Sequence, residues 1–134
     1  PYRRQRQMCI RDRNSDRNRL MLSIATDENN DIYLDEFGNL ATVTGIEAVA
    51  QVCRNTVLTT YGELTYDVDG GIPYFETVFT DPPNLELFQN AVVSALQNVE
   101  GVTRVKSFNY SVSGGTLSYT AEIVTAYGEM TLNG

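Results

Sequence analysis

Residues 102 to 125 leave the chain few folds to choose from. Phe108, Tyr110 and Val112 alternate with polar residues, as do Leu117, Tyr119, Ala121 and Ile123, and Ser113-Gly114-Gly115-Thr116 lies between the two runs. Alternation with a period of two puts each apolar set on one face of a strand. A Gly-Gly pair accepts the positive φ angles of a two-residue hairpin loop. With that loop, Val112 opposes Leu117, Tyr110 opposes Tyr119 and Phe108 opposes Ala121, so the apolar sets meet on one side of an antiparallel pair. After Ala126-Tyr127-Gly128, the segment EMTLNG can add one more extended segment.

A sheet with one apolar face needs a cover, and two amphipathic helices are available. Ile46, Val49, Ala50, Cys53 and Val57 recur at helical spacing, and Thr44 with Glu47 has the spacing of a capping box. Gly62 is placed to stop this helix near Tyr61. Leu85, Phe88, Val92, Ala95, Leu96 and Val99 form the second stripe, with Asp81 as N-cap, Pro82 at the first helical position and Gly101 closing it. Upstream, DIYLD (31–35) and LATV (40–43) read as a short hairpin through Phe37-Gly38-Asn39, with Ile32 and Leu34 on one face. The order ββ-α-loop-α-ββ(β) predicts an α+β fold, a small antiparallel sheet with two helices on one face.

Between the helices stands YGELTYDVDGGIPY, residues 61–74. Gly62, Gly70, Gly71 and Pro73 rule out a continuous helix. Glu63, Asp67 and Asp69 are close enough to serve a hydrolase that works with two carboxyl groups. The chain contains no His and no Trp. Imidazole chemistry is therefore excluded, as is an indole platform for sugars. The glycines have a backbone explanation, and Tyr61, Tyr66, Tyr74 and Phe75 read either as packing under the loop or as contact anchors. DENND (27–31) fails as a calcium loop, because Ile32 stands where the sharp-turn glycine belongs and Gly38 where the bidentate glutamate belongs. No cofactor or metal site is expected.

Charge divides the chain. Residues 1–19 hold seven Arg and two Asp, a net of +5, whereas residues 20–134 hold fifteen acids against Arg54, Arg104 and Lys106, a net of −12. PYRRQRQMCIRDR resembles translated sequencing-adapter sequence. Residues 1–20 are thus expected to be a non-native or disordered basic leader, Met21 the natural start, and 21–134 one domain. Without Cys9, Cys53 is a lone cysteine on an apolar helix face, a small core hydrophobe. An acidic surface is a poor match for nucleic acid, and no apolar run is long enough for a membrane helix. The end of the sheet offers unpaired backbone groups to another chain's strand.

The ordered set GIEAVAQVCRNTVLTTYGELTYDVDGGIPY, DIYLDEFGNLATVTG, LFQNAVVSALQNVEGVTRVKSFNYS and AYGE resembles contractile-tail phage baseplate wedge proteins of the gene-25-product-like family, in its Mu-like branch. A related protein serves the type VI secretion baseplate. The resemblance implies a structural subunit of the inner baseplate, located in the virion tail and made in the host cytoplasm. It implies that the chain joins other wedge proteins, initiates the tail sheath by strand exchange, and is oligomeric only within the baseplate. Carried over by motif, the implied contact residues are Gly62, Glu63, Asp67, Gly71, Ile72, Pro73 and Tyr74. Tyr66, Tyr127, Gly128 and Glu129 join them as interface candidates. Two departures stand out: Leu64 follows Gly-Glu where this branch often has an aromatic, and VEGVTRV replaces the Glu-Pro-Arg segment of the type VI relatives. The broader family also carries a lysozyme label, so a peptidoglycan hydrolase is the rival reading.

Overall fold

A computed structural model describes residues 21–134; the expected leader, residues 1–20, lies outside them. The elements are β1 (Leu22–Ile24), β2 (Thr42–Thr44), α1 (Gly45–Leu58), α2 (Tyr74–Thr77), α3 (Leu85–Gln97), β3 (Val102–Ser113), β4 (Thr116–Thr125) and β5 (Gly128–Asn133). The class is α+β, with two sheets where one was expected: β1 pairs with β2, and the second sheet has the order β3-β4-β5, antiparallel throughout.

The β3–β4 register is the one read from the sequence, with Phe108 opposite Ala121, Tyr110 opposite Tyr119 and Val112 opposite Leu117. Gly114 and Gly115 take φ angles of +57° and +79°, as a tight primed turn demands. Toward its start, β3 shifts register twice, between Val102 and Arg104 and between Val105 and Ser107. Such bulges deepen the twist of the strand. The final segment does form a strand, β5, with Ile123 opposite Met130 and Ala121 opposite Leu132.

Helices α1 and α3 pack on the apolar face of this sheet, α3 against β3 and α1 against β5. Val49, Cys53 and Val57 from α1 meet Phe88, Val92 and Leu96 from α3 and Phe108, Ala121, Ile123 and Leu132 from the sheet. Burial pushes the Cys53 thiol up to about 11, so it packs as a neutral hydrophobe, as expected. The opposite face presents Asn109, Ser111, Ser118, Thr120, Thr131 and Asn133 to solvent. Of the basic residues, Arg54 lies on α1, and Arg104 and Lys106 lie on β3.

Three local expectations are corrected. First, the α1 capping box does not form: Thr44 makes no side-chain cap hydrogen bond, because it ends β2 opposite Leu22. Second, α1 stops at Leu58, not near Tyr61. Thr59 caps it by donating from N and Oγ1 to Asn55 O, at 3.1 and 2.8 Å, and Thr60 then leaves to pair with Ile72. Gly62 is therefore a loop residue. Third, α3 starts after Asn84, whose Oδ1 accepts from Leu87 N at 3.1 Å. Pro82 precedes Pro83 and is disfavoured in the helical region, so the helix cannot begin at Pro82 and Asp81 has no helix start to cap.

The residues before β2 form an arm built on two Asx turns in place of the expected 31–35 strand. Asp27 Oδ1 accepts from Asn29 N and Asp31 N, at 2.8 and 3.0 Å. Asp35 Oδ1 accepts from Phe37 N and Asn39 N, both at 2.9 Å. Backbone drawn into these turns leaves only isolated bridges, Thr26 with Ile32 and Leu34 with Leu40. In the same arm, Thr26 Oγ1 is shut off from solvent and has no hydrogen-bond partner. Thr26→Val removes that unsatisfied hydroxyl and is expected to stabilise the domain by about 1 kcal/mol. A rise in the thermal midpoint relative to wild type checks this; a fall refutes it.

Candidate functional site

The loop between α1 and α2 is zipped at its base and exposed at its tip. Tyr61 N donates to Ile72 O at 2.9 Å, and Ile72 N donates to Thr59 O at 2.8 Å. Ile72 is fully buried in the core. Tyr74 is half-buried, its hydroxyl donates to Val57 O, and its ring lies 5.9 Å from that of Phe88. Burial, with a smaller contribution from Tyr119, pushes its phenol up to about 12, so it stays a neutral donor. Ile72, Pro73 and Tyr74 thus anchor the loop to the core. Gly71 makes the zipper possible: at φ +98°, a Cβ here would sit 2.6 Å from both Thr60 C and Thr60 O.

The tip carries the exposed side chains. Tyr66 is fully exposed, with Tyr61, Leu64 and Val68 around half so. Glu63 shapes the turn, its carboxylate accepting from Thr60 N at 2.8 Å while its own N donates to Thr60 O at 3.0 Å. Asp67 O accepts from Gly70 N at 3.1 Å, and a Cβ on Gly70 would strike the Asp67 carboxylate. Glu63, Asp67 and Asp69 are all exposed. A two-carboxylate hydrolase sets its acid in an apolar pocket, and these carboxylates face water. Among the described residues, no group of acids and cysteines could hold a metal ion, and no helix is long and apolar enough to cross a membrane.

The other candidates lie at the turn into β5. Tyr127 Oη accepts from Met21 N at 3.0 Å, tying the start of the arm to this turn. Gly128 pairs with Thr125 and Glu129 with Val124; Glu129 also meets Lys106 at 3.8 Å on the exposed side of the sheet. This cluster is separate from the loop.

Strand β5 is an edge. Tyr119 and Gly134 exchange both backbone hydrogen bonds, at 2.8 and 3.1 Å. Bonded and non-bonded pairs alternate along an antiparallel ladder, so Leu132, Met130 and Gly128 bond to β4, while Glu129, Thr131 and Asn133 aim their N–H and C=O groups outward. Among the described residues, nothing accepts from or donates to these outward groups. Of the three, only Glu129 had been singled out from the sequence. The alternation of EMTLNG carries the signal for Thr131 and Asn133, but only the register shows which backbone groups point away.

A sequence profile of the contractile injection system sheath initiator family matches residues 22–128. The match spans the arm, both long helices, the 61–74 loop and β3–β4, and it ends where β5 begins. None of the curated proteins compared with the chain matches it.

Proposed function

The chain belongs to the contractile injection system sheath initiator family, and from that premise we propose that it is a structural baseplate subunit of a phage tail that starts the sheath through the outer edge of β5. Family membership gives the chain a structural role in sheath assembly. The observation that supports the finer reading is the row of outward, unpartnered backbone groups at Glu129, Thr131 and Asn133. An edge of this kind takes up an added strand from another chain, with main-chain hydrogen bonds supplying the affinity. The tip of the 61–74 loop, led by Tyr66, would meet neighbouring wedge proteins, with Glu63, Gly71 and the Ile72-Pro73-Tyr74 anchor holding its shape. On this reading the protein is not an enzyme and works in the virion baseplate after synthesis in the host cytoplasm. It binds neither nucleic acid nor membrane, and it is oligomeric only in the assembled baseplate.

Thr131→Pro tests the edge. Proline removes a backbone N–H that points away from β4, so the sheet loses no bond of its own, while an incoming strand loses a partner and meets the ring. The variant is expected to melt within about 4 °C of wild type, a change of under about 1 kcal/mol. It should nevertheless fail to seed polymerisation of purified tail sheath protein on reconstituted baseplates. Normal seeding by the folded variant would overturn the reading. Deleting β5 outright is a poorer test, because Leu132 is part of the core.

A further inference from the structure

The arm turns its leucines and isoleucines outward. In the β1–β2 pair, Leu22 lies opposite Thr44 and Ile24 opposite Thr42, and partners across a ladder share a face. Leu40 follows the parity of Thr42, Leu34 bridges to Leu40, and Ile32 bridges to Thr26, which follows the parity of Ile24. Both routes bring Leu22, Ile24, Ile32, Leu34 and Leu40 to one side, where they are 64%, 48%, 65%, 66% and 43% exposed. The other side holds Ala25 and Ala41, 2% and 6% exposed, with the partly buried Val43 and, by the same parity, Tyr33, 46% exposed. Burial of aliphatic area is the main force that would set this register, and here the larger share of that area is left outside. A contiguous apolar face of this kind on a single chain marks an interaction site.

What covers it follows from shape and charge. The arm holds Asp27, Glu28, Asp31, Asp35 and Glu36 and has no Lys or Arg between residues 21 and 53. A second copy would set like charge against like charge, and anionic lipid headgroups or phosphates would meet the same repulsion. A face two to three strands wide measures roughly 10–14 Å across at the usual strand spacing. That is about the diameter of one α-helix and too narrow for another sheet. The two Asx turns fix the arm's backbone in advance, so little conformational entropy remains to be lost on docking.

We propose that this face is the seat of one amphipathic helix from a partner protein, with an apolar stripe flanked by Lys and Arg. This inference does not depend on the β5 edge. The probe is a synthetic helical peptide of leucine and lysine about 18 residues long, enough to run about 27 Å, with its leucine–glutamate counterpart as the charge control. Titrated into the full chain, the lysine peptide is expected to bind, and the glutamate peptide not to. Leu34→Ser/Leu40→Ser, at exposed positions, should weaken lysine-peptide binding by about tenfold or more. Phe75→Ser, at another exposed apolar position, should leave it unchanged. Full affinity in the double variant, equal binding of both peptides, or no binding of either overturns the proposal. So does a dimer of the free chain that the double variant dissolves, since the face would then belong to a second copy.

Discussion

Gly71→Ala is expected to lower the stability of the domain by about 2–6 kcal/mol. A side chain at a φ of +98° carries backbone strain of about 1–3 kcal/mol. Its Cβ would also lie 2.6 Å from Thr60 C and O and 2.8 Å from Tyr61 N. These are main-chain atoms, and they can retreat only by opening the Tyr61–Ile72 and Ile72–Thr59 hydrogen bonds, which adds roughly another 1–3 kcal/mol of overpacking. For a domain of this size the loss is a fall in melting temperature of roughly 8–24 °C, read by far-ultraviolet circular dichroism. Gly62 is the internal control. It has φ +80° but nothing within 4 Å of a Cβ, so Gly62→Ala should cost only the backbone term. Equal effects at the two glycines would mean that the close approach of Gly71 to Thr60 contributes nothing.

Phe88→Ala should cost about 3–5 kcal/mol, as for a large aromatic cut back to a methyl group in a closed core. Phe88 is 1% exposed and stands where α3, the loop anchor and the sheet converge. Its ring lies 5.9 Å from that of Tyr74 and 6.3 Å from that of Phe108. The prediction is specific in direction: the exposed loop residue Tyr66 changed to Ala should leave the melting temperature nearly unmoved, although both changes remove an aromatic ring. A Phe88→Ala protein that melts with wild type would show that the cavity collapses without loss, contrary to the packing described.

Legibility in the sequence followed how local each determinant is. The β3–β4 register was readable because Gly114-Gly115 fixes the turn and every pair beyond it follows by counting, until bulges in β3 shift the count. The stripes of α1 and α3 were readable because each repeats several times. Starts and stops were not, since they turned on competition. Thr44 was claimed by β2, Asn84 took the cap that the Asp81-Pro82-Pro83 run could not form, and Thr60 was drawn to Ile72. In the arm, alternation correctly set Ile32 and Leu34 on one face, but a period of two cannot say which face meets the body. Of the candidate site, the GIPY motif stood out in the sequence, yet Ile72 is a core residue whose flanking glycine and proline disguise it as loop. The outward backbone of β5 could not be seen at all without the register.

The distribution of basic residues has a practical consequence for all such measurements. Trypsin cuts only after Lys and Arg, and between residues 20 and 134 it can cut only after Arg54, Arg104 and Lys106. Arg54 sits within α1, and the other two within β3. The arm and the long 59–73 connection offer the protease nothing, however exposed they are. Tryptic cleavage of this domain therefore reports the opening of α1 or of the β3 edge at its bulges and is blind to motion of the loops, so the rate of fragment appearance follows the regular elements and not the exposed connections.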